Sequence, residues 1–112
     1  LRPSLLPEDA PTVVVERAWG MAMLQEPDGL VRATEAIRDR PDSTDVVRGL
    51  PMPLLVVVGD RDAFLPLDEA RSIADAAPDG RLVVVEGAGH LPSLERPDEF
   101  NSALVEFLAR LE

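Results

Sequence analysis

Cysteine is absent from the 112 residues, and histidine occurs once, at position 90. The first absence excludes disulfides and thiolate chemistry, and the second excludes a multi-histidine metal site built from this chain alone. No cofactor or metal is expected. Without cysteine the redox compartment is left open, and a cytoplasmic location is the default expectation. Basic side chains are scarce too: 11 against 21 acidic ones leave a formal charge of −10. Such a surface repels phosphate backbones and anionic headgroups, so neither nucleic acid nor a membrane is expected as a partner. Long hydrophobic runs are also lacking. The stretch Leu54 to Val58 is far short of the roughly 20 residues that span a bilayer. The chain opens Leu1-Arg2-Pro3, with neither an initiator methionine nor a charged-then-apolar leader, and reads as a piece of something longer.

What is present fits a folded chain of one domain at most, with 46% apolar and 29% charged residues. Its character changes near Gly49 to Pro53, which divides it into residues 1–50 and 51–112. The first part carries helical phasing: Val14, Ala18, Met21 and Ala22 recur at helix spacing, as do Leu30, Ala33 and Ile37. Pro11 suits the first turn of one helix and Pro27-Asp28 the opening of the next, with Pro41-Asp42-Ser43 closing it. The β-branched run Val13-Val14-Val15 works against the first helix. A short helical turn is expected over Asp45 to Leu50.

From Pro53 the order is strand, helix, strand, helix. Leu54 to Val58 and Leu82 to Val85 are apolar at every position, the mark of strands buried on both faces of a parallel sheet. A helix is expected from about Leu67 to Ala77, and a last one from Pro97, with Phe100, Leu104, Phe107, Leu108 and Leu111 on one stripe. Two strands and two helices cannot cover that much apolar surface. The pattern therefore implies that further strands of the same sheet lie elsewhere.

Two constellations carry chemistry. Gly59-Asp60-Arg61-Asp62 follows the first strand at its carboxyl end, where open α/β sheets build their sites. Asp62 is the candidate acid, and Asp60 reads as a turn residue. Gly87-Ala88-Gly89-His90-Leu91-Pro92 follows the second strand and ends in the chain's one imidazole. A histidine titrates near neutral pH, and a carboxylate on its other ring nitrogen fixes tautomer and orientation. Each constellation alone has an ordinary explanation, a turn or a solvated loop residue; their pairing at consecutive strand ends favours catalysis.

Residues 51 to 111, from Pro-Met-Pro-Leu-Leu-Val-Val-Val-Gly-Asp-Arg-Asp through Gly-Ala-Gly-His-Leu-Pro-Ser-Leu-Glu-Arg-Pro-Asp-Glu-Phe to the closing helix, resemble the last two strand–helix units of the α/β-hydrolase superfamily. The Glu95-x-Pro97 pair and Phe100 after it match the usual segment just beyond the family histidine. Residues 1–50, including Arg40-Pro41-Asp42, are similar to the later helical cap and its return to the core in small bacterial esterases and enol-lactonase-like hydrolases. The resemblance implies an α/β fold of two parallel strands with flanking helices and a cap segment, completed by an N-terminal half. It implies Asp62 as catalytic acid and His90 as catalytic histidine. By analogy, Trp19 and Met23 in the cap, with Phe64, Leu65 and Leu91 beside the catalytic pair, contact a small-molecule substrate; Leu24 is a further cap candidate.

The family's nucleophile elbow, Gly-x-Ser-x-Gly, and its oxyanion-hole loop are not in this sequence. Ser4, Ser43, Ser72, Ser93 and Ser102 lack the glycine frame. The expected partner is therefore an N-terminal fragment of the same protein carrying both, and the chain by itself is expected to be inactive. The implied activity is hydrolysis of a carboxylic ester, lactone or related acyl substrate. Three alternatives remain open on the residues: an aspartate nucleophile, as in dehalogenase or epoxide-hydrolase relatives; a non-catalytic hydrolase-like binding module; and an Asp60/Asp62 pair holding Mg²⁺.

Overall fold

The structure is a computed structural model that describes residues 5–111. Helix α1 spans Thr12–Met23, α2 Pro27–Asp39 and α3 Thr44–Arg48; strand β1 is Leu54–Gly59, α4 Leu67–Ala76, β2 Gly80–Val85, α5 Pro92–Glu95 and α6 Pro97–Ala109. The two strands pair in parallel, in a register running from Leu54 opposite Gly80 to Gly59 opposite Val85. A parallel pair needs a crossover, and α4 supplies it.

Prolines set several of the boundaries. Pro27 and Pro97 occupy the first turns of α2 and α6, where the lost N–H has no intrahelical partner to forfeit. Pro66 precedes α4, whose first turn carries Asp68 and Glu69 against the positive end of the helix dipole. Asp42 opens α3 by accepting from the Thr44 N–H at 3.0 Å and the Thr44 hydroxyl at 2.6 Å, which holds its carboxyl below the ordinary range. The β-branched run 13–15 does lie inside α1: Val14 is buried there with Ala18 and Leu6, and tertiary packing outweighs local preference.

The core is built from small side chains. Val58, Val85, Ala70, Ala74 and Ala77 are buried on or beside α4 and the two strands it packs on, and Ala88 is buried in the loop after β2. Among the described residues Val58, at 2% exposure, is the largest that is fully buried, and its burial is worth about 1.5–3 kcal/mol. Small residues allow close approach: a Cβ on Gly80 would collide with the Ala74 carbonyl of α4.

Burial departs from the expected stripes in three places. On α6, Phe100, Ala103 and Phe107 are half-buried, whereas Leu104 and Leu108, with Leu111 just past the helix, are exposed. On α2, Leu30, Ala33 and Ile37 all face solvent, and no residue of that helix is buried. Met21 of the α1 stripe is exposed as well. The strands are likewise incompletely covered, with Val84 at 40% exposure. The common cause is that apolar faces here outnumber the elements available to cover them. The four-residue helix α5 was not expected from the periodicity; a single turn carries none.

Candidate active site

The site forms where β1 and β2 end side by side. Past β1 the backbone turns at once: the Asp62 N–H donates to the Gly59 carbonyl at 3.2 Å, and the Arg61 N–H reaches across to the Ala88 carbonyl at 2.9 Å. In return the Gly87 N–H donates to the Asp60 carboxylate at 2.8 Å. Asp60 thus braces the two strand-end loops rather than facing a substrate. Gly59 is required by this close approach, since a Cβ there would collide with the carbonyl oxygens of Ala88 and Gly89. Gly87 takes φ +80°, a left-handed conformation that favours glycine, as the second loop leaves its strand.

Those braces bring Asp62 and His90 together. His90 Nδ1 lies 2.9 Å from one carboxylate oxygen of Asp62 and 3.1 Å from the other. The Asp62 carboxylate also accepts the N–H groups of Phe64 at 2.8 Å and Leu65 at 3.0 Å, so the turn itself aims it. Its side chain is 5% exposed, whereas the imidazole keeps 40% of its surface in solvent. Burial pushes the Asp62 carboxyl up, but the His90 hydrogen bond and the two amides outweigh it and hold the group below the ordinary carboxylate range. The carboxylate is therefore ionised at neutral pH, with Nδ1–H as its donor. That tautomer leaves Nε2 as an acceptor, the form a general base needs.

Of the apolar candidates, Phe64 meets the imidazole directly, with ring centroids 5.0 Å apart and planes tilted by 54°. Leu65 is half-buried in the same turn. Leu91 packs against the Leu6, Val14 and Ala18 cluster, which joins α1 to the histidine loop. Trp19 and Met23 sit on exposed positions of α1, and neither is in ring contact with His90; Leu24, just after that helix, is exposed too. Among the serines, Ser72 Oγ donates to the Asp68 carbonyl, Ser43 precedes α3, and Ser93 and Ser102 are exposed on α5 and α6. Ser4 lies outside the described residues.

Two contacts were not read from the sequence, although Glu95 itself stands in the segment that carries the family resemblance. The carboxylate of Glu95 accepts the N–H groups of Gly89 and Leu91, on either side of His90. The His90 N–H itself donates to the Leu5 carbonyl at 2.8 Å. Glu95 stands four positions after Leu91, a spacing that suits a side chain reaching back to the start of a helical turn, and that was the available signal. Leu5 offered none. Among the described residues no group of three or more His, Asp or Glu side chains is arranged to hold a metal ion, and no helix is long and apolar enough to cross a membrane.

A profile described as "Alpha/beta hydrolase family" matches residues 1–103. The chain belongs to the alpha/beta hydrolase family. An esterase from Thermogutta terrifontis superimposes with a TM-score of 0.91 at 35% identity, over 96% of this chain and 41% of that one. A non-heme chloroperoxidase of Kitasatospora aureofaciens is 38% identical over 93 residues, covering 80% of this chain and 34% of the relative. A 2-hydroxy-6-oxononadienedioate/2-hydroxy-6-oxononatrienedioate hydrolase of Pseudomonas sp is 31% identical over 91 residues, or 79% of this chain and 32% of the relative. This α/β-hydrolase chain thus spans about a third of the length of those curated relatives, and its parallel strand pair with flanking helices is part of the α/β-hydrolase fold.

Proposed function

We propose that the chain contributes the acid and the histidine, Asp62 and His90, to a hydrolase active site acting on a carboxylic ester, lactone or related acyl substrate. Its nucleophile and oxyanion hole are supplied by an N-terminal part of the same fold, on a separate polypeptide or on preceding sequence. The observation that carries this reading is the Asp62–His90 pair: a nearly buried, ionised carboxylate on Nδ1 of a half-exposed imidazole, at the ends of adjacent parallel strands. The likeness to an esterase favours ester substrates over the other chemistries of the family.

In this reading the nucleophile's proton passes to His90 Nε2 as its oxygen bonds to the acyl carbon. The imidazolium, stabilised by Asp62, then returns the proton to the leaving oxygen as that bond breaks. A water molecule repeats the cycle against the acyl-enzyme and releases the acid. The exposed apolar residues of α1, α2 and α6 are the surface on which the rest of the fold packs.

Native against denaturing mass spectrometry of the purified protein tests the partnership. A co-purifying polypeptide containing Gly-x-Ser-x-Gly is expected, and a stable lone 12.1 kDa monomer argues against it. With the nucleophile-bearing part present, His90→Ala abolishes hydrolysis of a p-nitrophenyl ester. Undiminished turnover in that variant rejects the assignment, and complete inactivity of the assembled wild type points to a binding module.

A further inference from the structure

The segment that carries His90 is poorly suited to hold a ring in place. Glycines flank the buried Ala88 at positions 87 and 89, and glycine loses the most backbone entropy on being fixed. Three successive amides around the imidazole are nevertheless all bound. The Gly89 N–H donates to both oxygens of Glu95, at 2.9 and 3.1 Å, the His90 N–H donates to Leu5, and the Leu91 N–H donates to Glu95 at 3.0 Å. The two flanking amides therefore share one carboxylate, borne by the helical turn just beyond them. Gly89 is buried and Leu91 and Glu95 are half-buried, so water is a poor substitute for that acceptor.

We infer that Glu95 is a positioning residue of the catalytic site: by gripping the amides on both sides of His90, it fixes the imidazole on Asp62. The inference rests on the functional reading of the Asp62–His90 pair. The Glu95 carboxylate bonds to the backbone amides beside the ring, and it acts through them. A hydrogen bond to an ionised acceptor is roughly twice as strong as a neutral one, and two flanking anchors restrain both ends of the residue that must not turn. Asp60 holds the base of the same loop through Gly87, so removal of Glu95 frees its tip while its root stays attached.

Because His90 is the chain's one histidine, its tautomer can be read without assignment, by two-dimensional ¹⁵N NMR of the full chain labelled at histidine. The wild type is expected to hold the proton on Nδ1, and Asp62→Asn to lose that preference. Glu95→Ala should shift the proton distribution toward that of Asp62→Asn, and Glu95→Gln, which keeps one acceptor oxygen at the same reach, should recover part of the wild-type signal. A residue that merely caps α5 would lower thermal stability and leave the tautomer of the folded protein as it was. A wild-type spectrum from folded Glu95→Ala overturns the inference; if that variant does not fold, Glu95→Asp, whose shorter side chain draws the carboxylate back from the two amides, takes its place, and a wild-type spectrum from it overturns the inference. A wild type with mixed tautomers removes the Asp62–His90 pairing itself, a separate failure.

Discussion

Arg61 Nη1 donates to Asp9 Oδ1 at 2.6 Å, joining two residues 52 positions apart. One end is the turn that carries Asp62, and the other is the segment that leads into α1. That segment also offers the Leu5 carbonyl to the His90 N–H and places Leu6 in the cluster beneath Leu91. The entry to α1 is thereby attached to both loops of the site.

The attachment should depend on pH and salt. The hydrogen bond from Arg61 holds the Asp9 carboxyl below its ordinary value. For a depressed carboxyl the stabilisation is complete above the unfolded-state pKa and is lost as pH falls through the folded one. Both partners are largely exposed, so the effect is local and screened by salt. Asp9→Asn is expected to lower hydrogen-exchange protection of the His90 amide, corrected for intrinsic rates. Acidification below the carboxylate range and high salt should do the same to the wild type. Equal protection in both proteins at neutral pH would show that the ion pair leaves the loop unaffected.

Asp62 obeys the same sign with a larger consequence. Its carboxyl is held low against the upward push of burial, so its stabilisation is present above the unfolded-state carboxylate pKa and disappears as pH drops through the lowered one. Asp62→Asn should therefore be less stable than the wild type near neutrality, and the gap should narrow in acid. In the assembled enzyme the same variant loses the group that fixes the tautomer, and kcat should fall by roughly 10²–10⁴-fold. Denaturant titrations at a series of pH values, with steady-state ester hydrolysis, check both parts. A stability gap that widens in acid contradicts the ionised state assigned to Asp62.

Two glycines separate stability from site geometry. Gly59→Ala drives a methyl group into the backbone of Ala88 and Gly89, and Gly80→Ala drives one into the Ala74 carbonyl of α4. Each should cost about 1–3 kcal/mol, the usual range for overpacking against backbone that cannot yield. They differ in what moves. The Gly59 variant displaces the histidine loop and should mix the His90 tautomers; the Gly80 variant strains the helix–strand contact at the far end of β2 and should leave them unchanged. Identical spectra from both would mean that the loop absorbs the added methyl without shifting His90.

The strands, the helix starts at Pro27 and Pro97 and the two motif loops were legible because each is written in adjacent residues: an apolar run, a proline, a glycine-framed Asp or His. The pairing of Asp62 with His90 was legible by inference, since consecutive parallel strand ends lie side by side. The features that escaped are long-range and aperiodic. Glu95 binding the amides beside His90, Leu5 accepting the His90 N–H and Arg61 reaching Asp9 depend on how loops cross, which no periodicity records. The α6 stripe misled for a different reason. Helical phasing tells which residues share a face, and Leu104, Leu108 and Leu111 share one, but it does not tell what covers that face.

That uncovered surface gives the last prediction. Met23 at 74% exposure, with Val13, Leu24, Val31, Ile37 and Val105, leaves apolar side chains in solvent on α1, α2 and α6 and just past α1, an arrangement that marks an interaction surface. The outer edges of the two-stranded sheet are also open to further pairing among the described residues. The chain without its N-terminal complement should therefore bind an apolar fluorescent dye and self-associate as its concentration rises. Addition of the nucleophile-bearing part should suppress both and slow hydrogen exchange in β1 and β2. The order of effects matters, because nonspecific shielding of α1 and α2 would quench the dye without protecting the strands. Dye quenching with unchanged strand exchange would mean that the added polypeptide covers α1 and α2 but does not extend the sheet, contrary to assembly into one α/β-hydrolase fold.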